Sequence, residues 1–587
     1  MLKTFRDLSR YLVRHRTAFI VMAVLILFNG FFSTLAPIIP GRVIDGLRVG
    51  SMTLPSLWLH VGALLGVALI SGAAMVVTRR LVLGASWDMQ FEIRRDIFEH
   101  FTRLDGGYFD RTRVGDLMAR LTADLNAVRM MIGIAIYQAA NISVLFAFTL
   151  YRMFQLSPSL TLVTLAAAPL ISITFFVLLR VIHRRYQKVQ EQFSDVSSMA
   201  QENFSGIRVV KGFGMEAREV ERFGDLNDEF VRRNLHLVRV EGPLHPLMEF
   251  LFGLTISLLL LIGGRLVLGV GGDLTIGQFS SFVFLFEGIQ WPLIALGWIG
   301  SILQRGTTSW KRLKEILDTV PEVQDDEGTD YSLRSVKGAI EFRNVSVSFG
   351  GVKALDDVSF EVAAGESIGI TGRTGAGKTV IVNLIARLYD PDEGQILIDG
   401  VDHKRYPVEV LRRFIGLVPQ EPFLFSDSIA DNIAYGLPEA PAEELRPRVE
   451  RAARLAQLAD DLESFPRGYD TELGERGVTL SGGQRQRTAI ARALVREPAI
   501  LIFDDALSAV DTQTESRILE GLAEVQQGRT TIVVAHRVSA FQNVDRILVL
   551  DEGRIVEQGS HEELVAADGW YADMDRRQQL ESDLEAA

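Results

Sequence analysis

Between Thr17 and Gly41 the chain carries no charged side chain, and a second such run extends from Val49 to Thr78. A helix crosses the hydrocarbon of a bilayer in about 20 apolar residues. With no water there, its backbone groups must pair within the segment. Runs of this length restrict the first half of the chain to membrane-spanning helices. Met130–Tyr151 and Met153–Leu179 continue the pattern, divided by Arg152 and a short turn at Pro158. Two more runs are less clean. Phe250–Gly264 is short unless Glu249 or Arg265 lies at an interface, and Leu274–Gln304 is interrupted by Glu287. The reading is six spans, and an apolar fraction of 48% fits it.

Loop charges orient the spans. Lys3, Arg6, Arg10, Arg14 and Arg16 precede the first, whereas the short loops after the first, third and fifth hold few cations. The positive-inside rule then puts the N-terminus in the cytoplasm, and six crossings return the C-terminus to that side. The first run is too long for a secretory signal and lacks an A-x-A-like cleavage site. Leu2–His15 reads as an amphipathic helix lying on the inner membrane surface.

The connections Arg79–Arg129 and Arg180–Glu241 are long, polar and rich in helix formers, so they read as helices projecting beyond the membrane. Each breaks once, at Asp105-Gly106-Gly107-Tyr108-Phe109-Asp110 and at Phe204-Ser205-Gly206-Ile207-Arg208. Those breaks fit a turn and a small transverse helix at each tip, although local sequence alone is served as well by a plain surface turn. Pro321–Ser335, rich in Asp, Glu and Gly, reads as a linker. Beyond it, short β-rich runs alternate with helical ones, the pattern of an α/β domain. The chain's net charge of −12 comes mostly from this second half, which argues against a nucleic-acid partner. The absence of cysteine excludes disulfides and thiolate metal sites.

Chemistry is concentrated beyond the linker. Gly372-Arg373-Thr374-Gly375-Ala376-Gly377-Lys378-Thr379 matches G-x-x-x-x-G-K-[ST], after the apolar run Ser367–Ile370 and before the helical run Val380–Leu388. That context is the one a phosphate-binding loop requires. Its backbone N–H groups close around phosphate oxygens at a helix N-terminus, Lys378 reaches the β- and γ-phosphates, and the Thr379 hydroxyl ligates Mg²⁺. A second apolar run, Ala499–Phe503, ends in Asp504-Asp505. An acid at the end of such a strand is the other half of a P-loop nucleotide site, holding Mg²⁺.

With Leu480-Ser481-Gly482-Gly483-Gln484 upstream, the chain resembles the ATP-binding cassette (ABC) transporters, specifically exporter-type half-transporters. The resemblance covers nearly the whole chain. It implies a membrane all-α six-helix transmembrane domain over 1–320, with coupling helices near 106–116 and 205–214. A linker at 321–337, a cytoplasmic α/β P-loop ATPase domain over 338–575 and a tail at 576–587 complete the chain. Thr471–Gly477 is similar to the family's X-loop, Gln420 to its Q-loop glutamine (also a metal ligand), Ser508-Ala509-Val510-Asp511 to its D-loop, and His536 to its switch histidine. Phe349 stands where the family more often has the tyrosine that stacks on adenine. ATP and Mg²⁺ are the implied cofactors. In the family ATP is sandwiched between one domain's P-loop and another's LSGGQ, where Ser481 and Gly483 offer donors to the γ-phosphate. One chain completes neither site, so a dimer in the lipid bilayer, in a bacterial inner or plasma membrane, is implied.

The departure is Asp505. The family's glutamate there polarises the attacking water, and aspartate is one methylene shorter, so its oxygens fall back by about 1.5 Å. The expectation is a slow or silent site on this chain's own P-loop, in a heterodimer whose second half-transporter borrows the intact signature. A tolerated conservative swap is the alternative, and with it a homodimer.

Glu287, in the sixth run and five residues before Pro292, either meets a cationic substrate or a proton, or is a hydrogen-bonded group between helices. Phe282, Phe284, Phe286 and Trp291 read as packing. The function class is ATP-driven export of amphipathic small molecules, lipids or peptides. A siderophore importer of the same fold and a regulatory ATP-binding subunit are the alternatives, whereas six spans exclude a soluble DNA-repair ATPase.

Overall fold

The computed structural model describes residues 2–270, 272–438, 440–474, 480–506, 518, 528–541 and 544–586. The chain divides into two compact units, residues 1–100 with 115–319 and residues 101–114 with 320–587.

The first unit is helical. Among the described residues five helical stretches are long and apolar enough to cross a membrane: Arg16–Val49, Leu54–Arg103, Val114–Leu156, Pro158–Ser205 and Glu216–Val267. The sixth expected span is the helix Ile276–Leu317, which runs on through Pro292. Large apolar side chains such as Leu59, Leu69, Ile173 and Leu261 point outward, as a lipid solvent allows. The turn at Pro158 has a simple cause. Ser157 is extended and caps the next helix by accepting from the Leu160 N–H, and Pro158 takes the first helical position, where its missing N–H costs nothing.

One seam joins the end of the first span to the start of the last. Asp45 Oδ1 accepts from the Gly277 N–H at 2.8 Å, and Asp45 Oδ2 accepts from the Thr275 hydroxyl at 2.6 Å. A Cβ on Gly277 would lie 1.9 Å from the Gly41 carbonyl oxygen, so only glycine permits this approach.

The N-terminal segment departs from expectation. It forms two short helices, Leu2–Asp7 and Ser9–Arg14, rather than one over 2–15. Their apolar residues Leu8 and Tyr11 are fully buried against protein, where a surface-lying helix would turn them to lipid. Tyr11 stands edge-on to Trp310 and donates to Asp96 at 2.8 Å, while Arg14 pairs with Glu92 at 2.9 Å. Deeper in the extensions, the buried Asp124 accepts from Ser309 and takes both arms of Arg312. The second tip is the helix Ile207–Gly212, shorter than the 205–214 expected, and Phe204, Val209 and Phe213 around it are exposed.

The second unit holds two sheets. Strands β1 (Ile340–Phe349), β2 (Val352–Val362), β4 (Glu393–Ile398) and β5 (Val401–Asp402) form an antiparallel sheet in the order β2-β1-β4-β5. The other contains β3 (Ser367–Gly372), β6 (Ile415–Val418), β7 (Ile500–Asp504), β8 (Thr530–Val534), β9 (Arg546–Asp551) and β10 (Arg554–Gly559), in the order β10-β9-β3-β8-β7-β6. Only the β9–β10 pair in it is antiparallel. Strands β3, β7 and β8 are buried along their whole length, which is why they read as continuous apolar runs. Ligands in such sheets bind beyond the C-terminal strand ends. Gly372, Asp504 and Val534 stand at those ends.

The linker stretch 321–337 carries tertiary contacts: Val323 and Val336 are buried, and Asp325 accepts from the Val408 N–H at 2.9 Å. One boundary differs from the sequence reading. The C-terminal helix Trp570–Ala586 runs through the expected boundary at 575, so 576–586 is no loose tail.

Candidate active site

The site is built by strand ends and one tight loop. After β3 the chain turns through residues 373–377 into the helix Lys378–Ile385. Gly377 has φ +100°, and a Cβ there would lie 2.5 Å from the Ala354 carbonyl oxygen, so no other residue closes the loop. Lys378 folds back over it, and its ammonium donates to the carbonyls of Gly372 and Arg373, each at 2.9 Å. Burial pulls the Lys378 pKa down, opposed by the charges of Asp504 and Asp505.

Asp504, buried at the end of β7, is pushed above the usual carboxylate range by desolvation, and its hydrogen bond with Thr379 works the other way. A hydroxyl and a buried carboxylate side by side are the hard oxygen donors that Mg²⁺ takes when phosphates supply the rest. The residues present fit that ion.

Asp505 follows with φ +50°, a left-handed conformation that Asp tolerates better than most residues. Its N–H donates to the Val534 carbonyl at 2.9 Å, and Gln420 Nε2 donates to its Oδ2 at 3.2 Å. His536, exposed just beyond β8, faces the same space. One cavity of about 250 Å³ is lined by Thr374, Gly375, Gly377, Lys378, Thr379, Gln420, Asp504, Asp505 and His536, with Ala354, Val380 and Val534. Five separate segments therefore meet where the sequence placed the nucleotide chemistry. Gly372, Arg373 and Ala376 belong to the loop without lining the cavity.

Leu480–Gln484 is not in this lining. Ser481 caps the helix Gly482–Leu494, accepting from the Gln484 N–H at 3.2 Å, while Gln484 Oε1 accepts from the Ser481 N–H at 3.0 Å. Gln484 Nε2 also donates to Asp461 Oδ2 at 2.9 Å. The glutamine is thus spent on shaping the turn, Leu480 is buried beneath it, and Ser481 remains exposed. The D-loop residues Ser508, Ala509, Val510 and Asp511 lie outside the described residues, as do 475–477 of the X-loop.

Phe349 is half-exposed at the end of β1, edge-on to Tyr389 with ring centroids 5.3 Å apart. Tyr389 was missed in the sequence. Its hydroxyl donates to Asp110, on the tip helix Gly106–Arg111, and burial together with that bond pushes its pKa up to about 12. The tip helix is shorter than the 106–116 expected, and a separate helix begins at Val114. Asp105 fixes it, accepting from the N–H groups of Tyr108 at 3.1 Å and Glu322 at 2.8 Å. The only sequence signal was the aromatic Tyr389 a turn beyond the P-loop helix, with no periodicity to mark its partner.

In the first unit, Glu287 is exposed on the helix Ile276–Leu317, where Phe282 and Phe286 are buried as core and Phe284 is exposed. The side chain of Trp291 lies outside the described residues.

A P-loop, an acid-ended strand in the same sheet and a membrane-helix unit on one polypeptide define a nucleotide-driven membrane transporter. The chain belongs to the ABC transporter family, as a half-transporter of the exporter type. Residues 19–293 match the ABC transporter transmembrane region, and residues 355–508 match the ABC transporter family proper. The chain is similar to the multidrug resistance-like ATP-binding protein MdlA of Escherichia coli K12, with 35% identity over 100% of this chain and 98% of that one. It is 38% identical to the ATP-dependent lipid A-core flippase of Pseudomonas aeruginosa, over 82% of this chain and 78% of the flippase. A solved structure of a bacterial Atm1-family ABC exporter with ATP bound superposes with a TM-score of 0.78 at 30% identity, covering 97% of this chain and 98% of that one. The second unit is accordingly an ATP-binding, ATPase-type domain coupled to a membrane-spanning one.

Proposed function

We propose that the chain is one half of an ATP-driven exporter whose own P-loop site turns over slowly, while its signature completes a faster site on a partner subunit. Asp505 carries this reading. Activation of water demands an acid within hydrogen-bonding reach of the proton it takes, and a displacement of about 1 Å in a positioned reaction costs about 100-fold. Asp505 is one methylene short of the family's glutamate, and its carboxylate is turned to Gln420. In this scheme Lys378 pairs with the phosphates, and Gln420 and His536 position the water and the γ-phosphate. Thr379 and Asp504, with Gln420 as a further ligand, would hold Mg²⁺, which when bound neutralises phosphate charge. Phe349 offers its ring face to adenine. Ser481 and Gly483 present a hydroxyl and a backbone donor to the partner's nucleotide.

A second subunit would also cover the apolar tip around Phe204, Val209 and Phe213, which is costly to leave in water. The N-terminus and the ATPase domain sit in the cytoplasm of this scheme. The printed names of the relatives, multidrug resistance and lipid A-core flippase, support amphipathic small molecules or lipids as cargo, with peptides a further class. Glu287 stands on the cargo's path, where a carboxylate draws cationic compounds.

The test is purification of the chain alone and with candidate partner half-transporters. A slow or silent chain that gains brisk turnover with one partner supports the reading, and brisk coupled ATPase from the chain alone overturns it. A homodimer is the second reading, favoured because P-loop, Gln420, His536 and signature all stand on one polypeptide. Vectorial transport in vesicles, lost with Ser481→Ala, separates an exporter from a regulatory subunit, and its direction separates export from import.

A further inference from the structure

The C-terminal helix presents one face to the nucleotide site. Tyr571, Met574, Asp575 and Gln578 fall at the i, i+3, i+4, i+7 spacing of a single helical stripe. Tyr571 is fully buried and Asp575 nearly so. Glu557 of β10 fixes the start of the helix by accepting from the N–H groups of Trp570 at 2.6 Å and Tyr571 at 3.2 Å. Thr371, the residue before the P-loop's first glycine, has its hydroxyl 3.9 Å from Met574 Sδ. One turn further on, the carboxamide of Gln578 straddles Arg537. Its Nε2 donates to the His536 carbonyl at 2.7 Å, and its Oε1 accepts from the Val538 N–H at 2.8 Å.

A primary carboxamide offers one donor and one acceptor side by side, and residues i and i+2 of a chain offer the complementary pair. The fork therefore fixes the backbone on both sides of Arg537, just past the bond from the Ala535 N–H to the Ile370 carbonyl of β3 at 3.3 Å. We infer that Gln578 is a positioning residue for hydrolysis, holding the His536 loop so that the imidazole stays over the nucleotide cavity. This inference rests on the role given to His536 above. The C-terminal helix is then a working part of the ATPase. Its removal or displacement, by truncation or by a partner seated on it, slows turnover without weakening nucleotide binding. Gln578→Leu ends one bond short of the carboxamide oxygen and nitrogen and carries neither hydrogen-bonding group, so it removes the fork while keeping most of the helix face filled.

The experiment uses the full-length assembled transporter carrying Asp505→Glu, with the partner subunit's own P-loop site silenced, so that turnover reports this chain's site with an acid of full reach. ATPase kinetics are compared for that background, for Gln578→Leu within it and for His536→Ala within it, and hydrogen exchange is followed at the Val538 amide. The expected result for Gln578→Leu is a kcat about tenfold lower with KM for MgATP within about twofold, and clearly faster exchange at Val538. General destabilisation by the substitution would instead lower the unfolding temperature and move KM together with kcat. If His536→Ala stops turnover while Gln578→Leu leaves kcat within about twofold, the positioning role is overturned alone. Unchanged exchange at Val538 overturns it as well, whatever the turnover. If His536→Ala leaves the rate unchanged, the reading of the site fails and takes this inference with it.

Discussion

At the scale of single residues, Asp505 joins conformation to chemistry. Its left-handed backbone suits a short polar side chain, so Asp505→Glu trades a small loss of stability, up to about 1 kcal/mol, for roughly one methylene of reach. The expected outcome is a lower unfolding temperature by a few degrees together with turnover at this chain's own site raised about tenfold or more, read in an assembled complex whose partner site is silenced. Steady-state ATPase and a thermal melt check both. An unchanged rate would show that reach is not what limits this site. Tyr389 makes a second residue-level case. Tyr389→Phe keeps the ring against Phe349 and deletes the hydroxyl bond to Asp110, a loss of about 1 kcal/mol. ATP affinity should stay within about twofold of wild type, while stimulation of the ATPase by a transported compound drops. Nucleotide titration alongside stimulated turnover separates the two.

Among the elements, legibility followed the strength of the physical constraint. The membrane helices and the buried strands β3, β7 and β8 were plain in the sequence because a lipid or a two-faced sheet environment demands unbroken apolar runs. The P-loop was plain because its glycines answer to sterics alone. Elements whose apolar face is short, and is spent on a neighbour distant in sequence, were misread. Leu8 and Tyr11 have the spacing of a surface helix, and nothing local says that both are buried or that Tyr11 meets Trp310 and Asp96. The C-terminal helix was cut at 575 for the same reason, since its contacts lie with His536 and Val538. The site itself was legible residue by residue, but the side-chain links that organise it, Gln420 to Asp505 and Tyr389 to Asp110, were not. Hydrogen bonds across 85 and 279 positions leave no periodic trace.

For the whole molecule, the question is symmetry. In a homodimer, damage to the P-loop and damage to the signature reach both composite sites equally, so Lys378→Ala and Ser481→Ala should cost the same. In the asymmetric pair proposed here they part company. Ser481→Ala in this chain strikes the partner's fast site and should remove most turnover, at least about tenfold, whereas Lys378→Ala strikes the slow site and costs much less. Measuring both variants in one reconstituted complex decides between the two assemblies. Equal losses would count for the homodimer.

The back-folded Lys378 carries a thermodynamic consequence. Its ammonium is lodged against the carbonyls of Gly372 and Arg373, so the loop that receives phosphate is held in shape by its own lysine. Little chain ordering is left for ligand arrival, and the entropic toll that weakens binding at floppy sites is small. In a calorimeter, nucleotide binding to this domain should therefore show a small heat-capacity change, with the large one deferred to the later step in which two subunits close and bury surface.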